Sequence, residues 1–138
     1  MSDLSNAPTS AADEKSTHLA AIDIKSIQLP EGALPLLERK MRVRRLDVFP
    51  GGIIGLHEHK DRPAILYVLR GSMVVHDNVH EKPIVVEEGE AVTEFNKITH
   101  WAKNCSDKLP LALLTFDLLD DRAHPVRTGG NAASLRGD

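Results

Sequence analysis

The sequence predicts an all-β domain, a sandwich or closed barrel of about eight to ten short strands. Runs of β-branched and apolar residues recur along the 138 residues and are separated by Gly, Pro, Asn and Asp. Only residues 34–39 suggest a 3.6-residue hydrophobic period, and they are too few for a stable helix. A chain of this length can bury one core, so we expect one domain.

Composition divides the chain into three parts. Residues 1–18 are rich in Ser, Ala, Asp and Thr without periodicity, which favours a disordered tail. We expect the barrel to occupy residues 19–121. Residues 122–138 lose the strand pattern, and we expect them to form a flexible C-terminal tail.

The first two predicted strands carry irregularities. Isoleucines alternate in residues 21–29, which predicts a strand with a bulge near Ser26. Proline and glycine in residues 30–35 then predict a loop. Residues 41–49 predict the next strand, and the apolar parity changes near Arg44, which indicates a second bulge.

Five basic residues lie in or just before this second strand. No aromatic residues are interleaved for base stacking, so we interpret the set as a solvated strand face rather than a nucleic-acid site. The set comprises Arg39, Lys40, Arg42, Arg44 and Arg45.

The remaining strands follow at regular intervals, with turns at Gly71, Asn78 and Gly89. The apolar runs that predict them are residues 64–69, 72–78, 83–88, 91–95, 98–104 and 111–119.

Composition argues against several classes of function. The net charge of −3 gives no field that would attract nucleic acid. A single cysteine, Cys105, cannot form an internal disulfide, and no apolar run approaches the roughly 18 residues of a membrane span. The start of the sequence has no apolar targeting segment. We therefore expect a cytoplasmic protein that binds neither membrane nor nucleic acid.

Two histidines mark the most informative stretch. His57 and His59 are two positions apart in a strand-like segment, so their side chains point to the same face and could share a metal ion. A third histidine, His100, follows a strand and a polar turn further along the chain. Three neutral imidazoles suit a divalent first-row metal and leave positions open for water or substrate.

The spacing around these histidines resembles the paired motifs of the cupin family. Seven positions fit in two separated frames: Gly51, His57, His59 and Gly71 in the first, and Gly89, His100 and Asn104 in the second. The sequence departs from the motifs where the first has glutamate, which falls on Ala64, and where the second has proline and glycine, which fall on Phe95 and Lys97. The resemblance covers roughly residues 40–118.

The resemblance implies a jelly-roll barrel, a homodimer and one metal ion bound by the three histidines. Iron(II) is favoured, and zinc, nickel or manganese remain possible. Without a glutamate at position 64, the site is expected to keep nearly its full double positive charge and to favour a small anionic, chelating substrate. Cupins with three-histidine centres suggest a dioxygenase. A non-redox lyase or isomerase, or a ligand-binding cupin without catalysis, are the alternatives.

Other residues have open roles. Glu94, six positions before His100, is a candidate catalytic base or hydrogen-bond acceptor in the cavity, and a surface carboxylate is the alternative. His76 is a weaker cavity candidate, and Trp101 is expected to point away from the metal. Asn104 is expected to fix the backbone after the last metal-bearing strand by hydrogen bonding.

Overall fold

The computed structural model describes residues 3–122, and within this range it is built almost entirely of strands. The expected C-terminal tail lies outside the described residues, apart from Arg122. The eight strands are β1 (Lys40–Val48), β2 (Ile53–Glu58), β3 (Ala64–Arg70), β4 (Ser72–Asp77), β5 (Ile84–Glu87), β6 (Ala91–Glu94), β7 (Thr99–Asn104) and β8 (Leu111–Leu119). No helix in this range is long and apolar enough to span a membrane.

The strands form two four-stranded antiparallel sheets. One sheet has the order β1-β8-β3-β6 and the other the order β2-β7-β4-β5. Consecutive strands mostly lie in opposite sheets, as in a jelly roll. The predicted all-β jelly-roll fold is confirmed.

The core lies between the two sheets. Leu111, Leu113, Val68 and Met73 are at most 1% exposed. Alternation along each strand sends these side chains inward, and burying each contributes roughly 1.5–3 kcal/mol.

Gly71 makes the tight connection between β3 and β4. Its φ of +85° lies in the left-handed region, and a Cβ there would meet the Pro110 carbonyl oxygen at 2.8 Å. This motif position therefore requires glycine for conformational and steric reasons.

The strand predicted for residues 21–29 is wrong. Ile24–Ser26 instead forms one turn of 3-10 helix, and the Asp23 carboxylate caps it by accepting a hydrogen bond from the Lys25 backbone N–H. The alternating isoleucines line a groove on the outer face of the first sheet, beside Ile65 and Phe116. They serve as packing residues without pairing as a strand.

The second predicted bulge is also wrong. The solvated basic face is wrong for Arg39, Arg42 and Arg44, whereas the side chains of Arg45 and Lys40 are 54% and 42% exposed. β1 pairs with β8 in unbroken register from Lys40 to Val48. Arg42 and Arg44 point into the barrel, and Met41 and Val43 point outward, at 86% and 52% exposure. The Arg39 side chain is fully buried and binds Asp61 at 2.6 Å.

The inward position of Arg42 is tolerated because it forms an ion pair with a buried carboxylate, that of Asp117. Arg42 donates two hydrogen bonds to Asp117, with N–O distances of 3.0 and 2.7 Å, and Arg62 donates a third at 2.8 Å. The Asp117 side chain is fully buried. Burial alone would raise the pKa of Asp117, but the hydrogen bonds from the two arginines outweigh it and hold that pKa below its usual range.

Candidate metal centre

The three predicted histidines converge at one end of the barrel. His57 on β2 pairs directly with His100 on β7, and His59 follows β2, where its backbone N–H donates to the Ile98 carbonyl. The Nε2 atom of His100 lies 3.0 Å from Nε2 of His57 and 3.0 Å from Nε2 of His59. His59 and His100 are buried, and His57 is half-buried.

Hydrogen bonds fix the tautomers of two of these rings. His57 Nδ1 lies 2.7 Å from the Gly55 carbonyl oxygen, and His59 Nδ1 lies 2.9 Å from the Arg62 carbonyl oxygen. A carbonyl oxygen can only accept, so each Nδ1 carries the proton and each neutral ring presents a lone pair at Nε2. Metal-binding histidines are oriented by such bonds.

Burial keeps two of the rings neutral. Burial is the main cause that lowers the pKa of His59 to about 3. The hydrogen bond to the Arg62 carbonyl opposes this shift, and the positive charge of Arg62 adds to it. Burial, followed by the charge of His57, lowers the pKa of His100 to about 4. At neutral pH both rings therefore have the form that a metal requires.

The donor set fits a divalent metal ion. The three nitrogens lie within 4.8 Å of one another. Ligands about 2.1 Å from a common ion and at right angles are about 3.0 Å apart, the separation of both adjacent nitrogen pairs. Lone pairs this close repel one another unless a cation or proton lies between them. The three histidines therefore form a candidate metal site.

Glu94 lies inside the cavity, beside the histidines. It ends β6, is 4% exposed, and places Oε2 3.0 Å from His100 Nε2 and Oε1 3.8 Å from His59 Nε2. Burial raises the pKa of Glu94 to about 7, against the opposing charge of Arg62. Because Glu94 is buried and lines the cavity, it is not a surface carboxylate. Its catalytic role remains a prediction.

A cavity of about 310 Å³ adjoins the histidines. Its wall is mostly apolar and includes Leu46, Ile54, Leu66, Met73, Val75 and Ala102. Arg44, Arg62 and Thr115 add polar groups, and the Thr115 hydroxyl is buried without a hydrogen-bond partner. Thr115 could not be found from the sequence, because its inward direction depends on the register of β8.

The other candidates lie away from the histidine cluster. His76 pairs with Trp101 across β4 and β7, and their rings stack on the outer face at 4.1 Å. His76 is therefore not a cavity residue, and Trp101 points away from the site as expected. His80, just after β4, binds Asp77 at 2.8 Å, and its own side chain is more than half exposed.

Asn104 has the expected structural role. Its amide nitrogen donates to the Leu109 carbonyl at 2.8 Å and to the carbonyls of Val48 and Phe49 at 3.2 and 3.3 Å, while its amide oxygen accepts from the Ser106 backbone at 2.9 Å. The side chain thus joins β7 to the ends of β1 and the loop before β8.

Replacing Asn104 with Ala is expected to lower the free energy of unfolding by roughly 2–4 kcal/mol, because buried carbonyl groups lose their donor. Urea unfolding measures this change. Asn78→Ala is the control, since the exposed Asn78 side chain also makes two backbone hydrogen bonds, to Lys97 and Thr99. Equal losses in the two variants would contradict the structural role of Asn104.

Together, the fold and the histidine cluster define a jelly-roll barrel with a candidate mononuclear metal site. The family model described as the cupin domain matches residues 44–117, more than half of the chain. The chain belongs to the cupin family.

Solved structures of similar proteins agree with this assignment. A predicted oxalate decarboxylase from Thermotoga maritima is 30% identical with a TM-score of 0.51, and the match covers 58% of this chain and 68% of that one. A Bacillus halodurans protein is 20% identical with a TM-score of 0.53, covering 64% and 67%. The cupin domain of Schizosaccharomyces pombe Cnp3 is 14% identical with a TM-score of 0.53, covering 72% and 69%. The last two show the fold alone. No curated protein matches the chain.

Proposed function

We propose that this protein is a mononuclear metalloenzyme of the dioxygenase type that acts on a small anionic substrate able to chelate its metal. The observation that carries the proposal is the convergence of three imidazole nitrogens beside a largely apolar cavity. His57, His59 and His100 would hold the metal, and iron(II) is the favoured ion because imidazole ligands with open positions suit it.

When bound, the metal would supply a Lewis acid and a one-electron donor at the mouth of the cavity. The protein's own residues would position the substrate. Arg62 lines the cavity, and the guanidinium that donates to Asp117 carries further N–H donors that suit a carboxylate. The apolar wall would exclude water, which strengthens these electrostatic contacts.

Glu94 would serve as the proton-transfer group. A carboxyl group whose pKa lies near 7 can both donate and accept a proton at neutral pH. The distances of its carboxylate from His100 Nε2 and His59 Nε2, 3.0 and 3.8 Å, support a role toward a ligand bound at the histidine cluster.

Decarboxylation of a small dicarboxylate is the second candidate. It is favoured by the 30% identity to the predicted oxalate decarboxylase. Loss of carbon dioxide also requires a proton at the carbon left behind, which a protonated Glu94 could donate. This alternative uses the same histidines and the same cavity.

The test is to load the purified protein with iron(II) or manganese(II) and offer small thiols, diketones, hydroxy acids and oxalate. We expect substrate-dependent oxygen uptake by the iron form with at least one of the first three classes. Carbon dioxide release from oxalate by the manganese form, without net oxygen uptake, would establish the decarboxylase instead. Ligand-induced thermal stabilisation without turnover by either form would reduce the protein to a binding module and overturn the proposal. The control is His100→Ala, carried through the same loading.

A further inference from the structure

We infer that Glu94 is a fourth protein ligand of the metal, supplied from β6 in place of the glutamate that the first cupin motif puts at position 64 of β3. This inference rests on the metal site of the proposed function. A carboxylate that binds the ion directly is not free to transfer a proton, so Glu94 would be a metal ligand in place of the proton-transfer group described above.

The strand register explains how the exchange is possible. β3 and β6 are antiparallel neighbours, and Ala64 pairs directly with Glu94. Side chains of directly opposed residues lie on the same face of a sheet, about 5 Å apart at Cβ. Ala64 is 2% exposed and lines the same cavity as Glu94. A glutamate can therefore reach the same space from either strand.

The distances place Glu94 among the metal-binding atoms. Glu94 Oε2 is 3.0 Å from His100 Nε2, the same separation that His100 has from the other two histidines. Glu94 Oε1 lies 3.8 Å from His59 Nε2. A carboxylate at the spacing of adjacent ligands is in position to join the three nitrogens around one ion.

The small residue at position 64 makes room for this arrangement. A second glutamate directly opposite Glu94 would place two carboxylates in one buried space, where their like charges repel. With alanine at 64, the space near β3 is open and one carboxylate remains. The bound metal would then carry one compensating negative charge, in contrast to the nearly full double positive charge expected from the sequence.

The experiment exchanges the two residues. Three forms are compared with the wild type: Glu94→Gln, which keeps the shape and removes the charge, Glu94→Ala, and the double variant Ala64→Glu with Glu94→Ala. Manganese(II) and nickel(II) affinities are measured by competition with a chelator, and the cobalt(II) absorption spectrum reports the ligand set. Glu58→Gln is the matched control, because this exposed carboxylate neighbours His57 and points away from the cavity.

We expect Glu94→Gln and Glu94→Ala to weaken manganese(II) binding by about 100-fold or more and nickel(II) binding by less, since manganese depends more on oxygen ligands. The double variant should recover manganese affinity to within about 10-fold of wild type, together with a cobalt(II) spectrum like that of the wild type. Glu58→Gln should change neither.

Two results would overturn the inference. One is unchanged manganese(II) affinity and an unchanged cobalt(II) spectrum in a folded Glu94→Gln variant. The other is a double variant that melts like the wild type without metal but binds manganese(II) no better than Glu94→Ala. Failure of the wild type itself to bind any metal would instead refute the proposed function, so the two failures are distinguishable.

Discussion

Replacing His100 with Ala is expected to abolish stoichiometric metal binding. His100 is the central member of the cluster, because its Nε2 atom lies 3.0 Å from the other two histidine nitrogens and from Glu94. Its loss would remove both of the 3.0 Å nitrogen–nitrogen contacts of the cluster and the histidine closest to Glu94. Metal content after dialysis against metal-free buffer measures the effect, and we expect a fall from about one equivalent to less than a tenth.

The chain offers two matched controls for this experiment. His76 stacks on Trp101 outside the barrel, and the His80 side chain, which binds Asp77, is more than half exposed. Alanine at either position should leave the metal content unchanged. A full equivalent of metal retained by His100→Ala would refute the site.

Replacing Asp117 with Asn is expected to lower the free energy of unfolding by about 3–5 kcal/mol, the usual cost of breaking a buried ion pair from one side. The variant would leave Arg42 and Arg62 without their shared carboxylate in the interior. Chemical unfolding at neutral pH measures the loss. Asp47→Asn is the control, because Asp47 and its partner Arg45 are both more than half exposed, and we expect a change below about 1 kcal/mol.

The ion pairs of Asp117 with Arg42 and Arg62 also predict how the free energy of unfolding depends on pH. The pKa of Asp117 is lower in the folded protein than in the unfolded chain, so its contribution is present above the unfolded pKa, about 4. That contribution is lost as the pH falls through the folded value. The stability difference between wild type and Asp117→Asn should therefore be constant near neutral pH and shrink below about pH 4. A difference that grows on acidification would contradict the depressed pKa.

The sequence carried enough information for the fold and for the histidine cluster. Turn residues and short apolar runs were sufficient for the strands from β3 onward. The spacing of His57 and His59, with His100 in a second frame, anticipated which rings converge, because side chains two apart on an extended chain share a face.

Side-chain directions that depend on pairing between strands distant in the sequence could not be predicted from the sequence. In residues 41–48 apolar residues occur on both faces of the strand, so the sequence alone does not show that Arg42 faces inward. The register between β1 and β8 decides it, because it places Asp117 directly opposite Arg42. Glu94 is likewise placed beside the histidines by its pairing with Ala64. Alternating isoleucines before Pro30 suggested a strand, but the cap from Asp23 favours a 3-10 turn there.

The most direct test of the metal centre is elemental analysis of wild-type protein purified without added metal and again after reconstitution with iron(II). We predict close to one equivalent of a first-row metal per chain after reconstitution, retained through dialysis and absent from His100→Ala. Wild-type protein that is folded but retains no iron, manganese, nickel or zinc after loading would contradict the account and leave only the barrel.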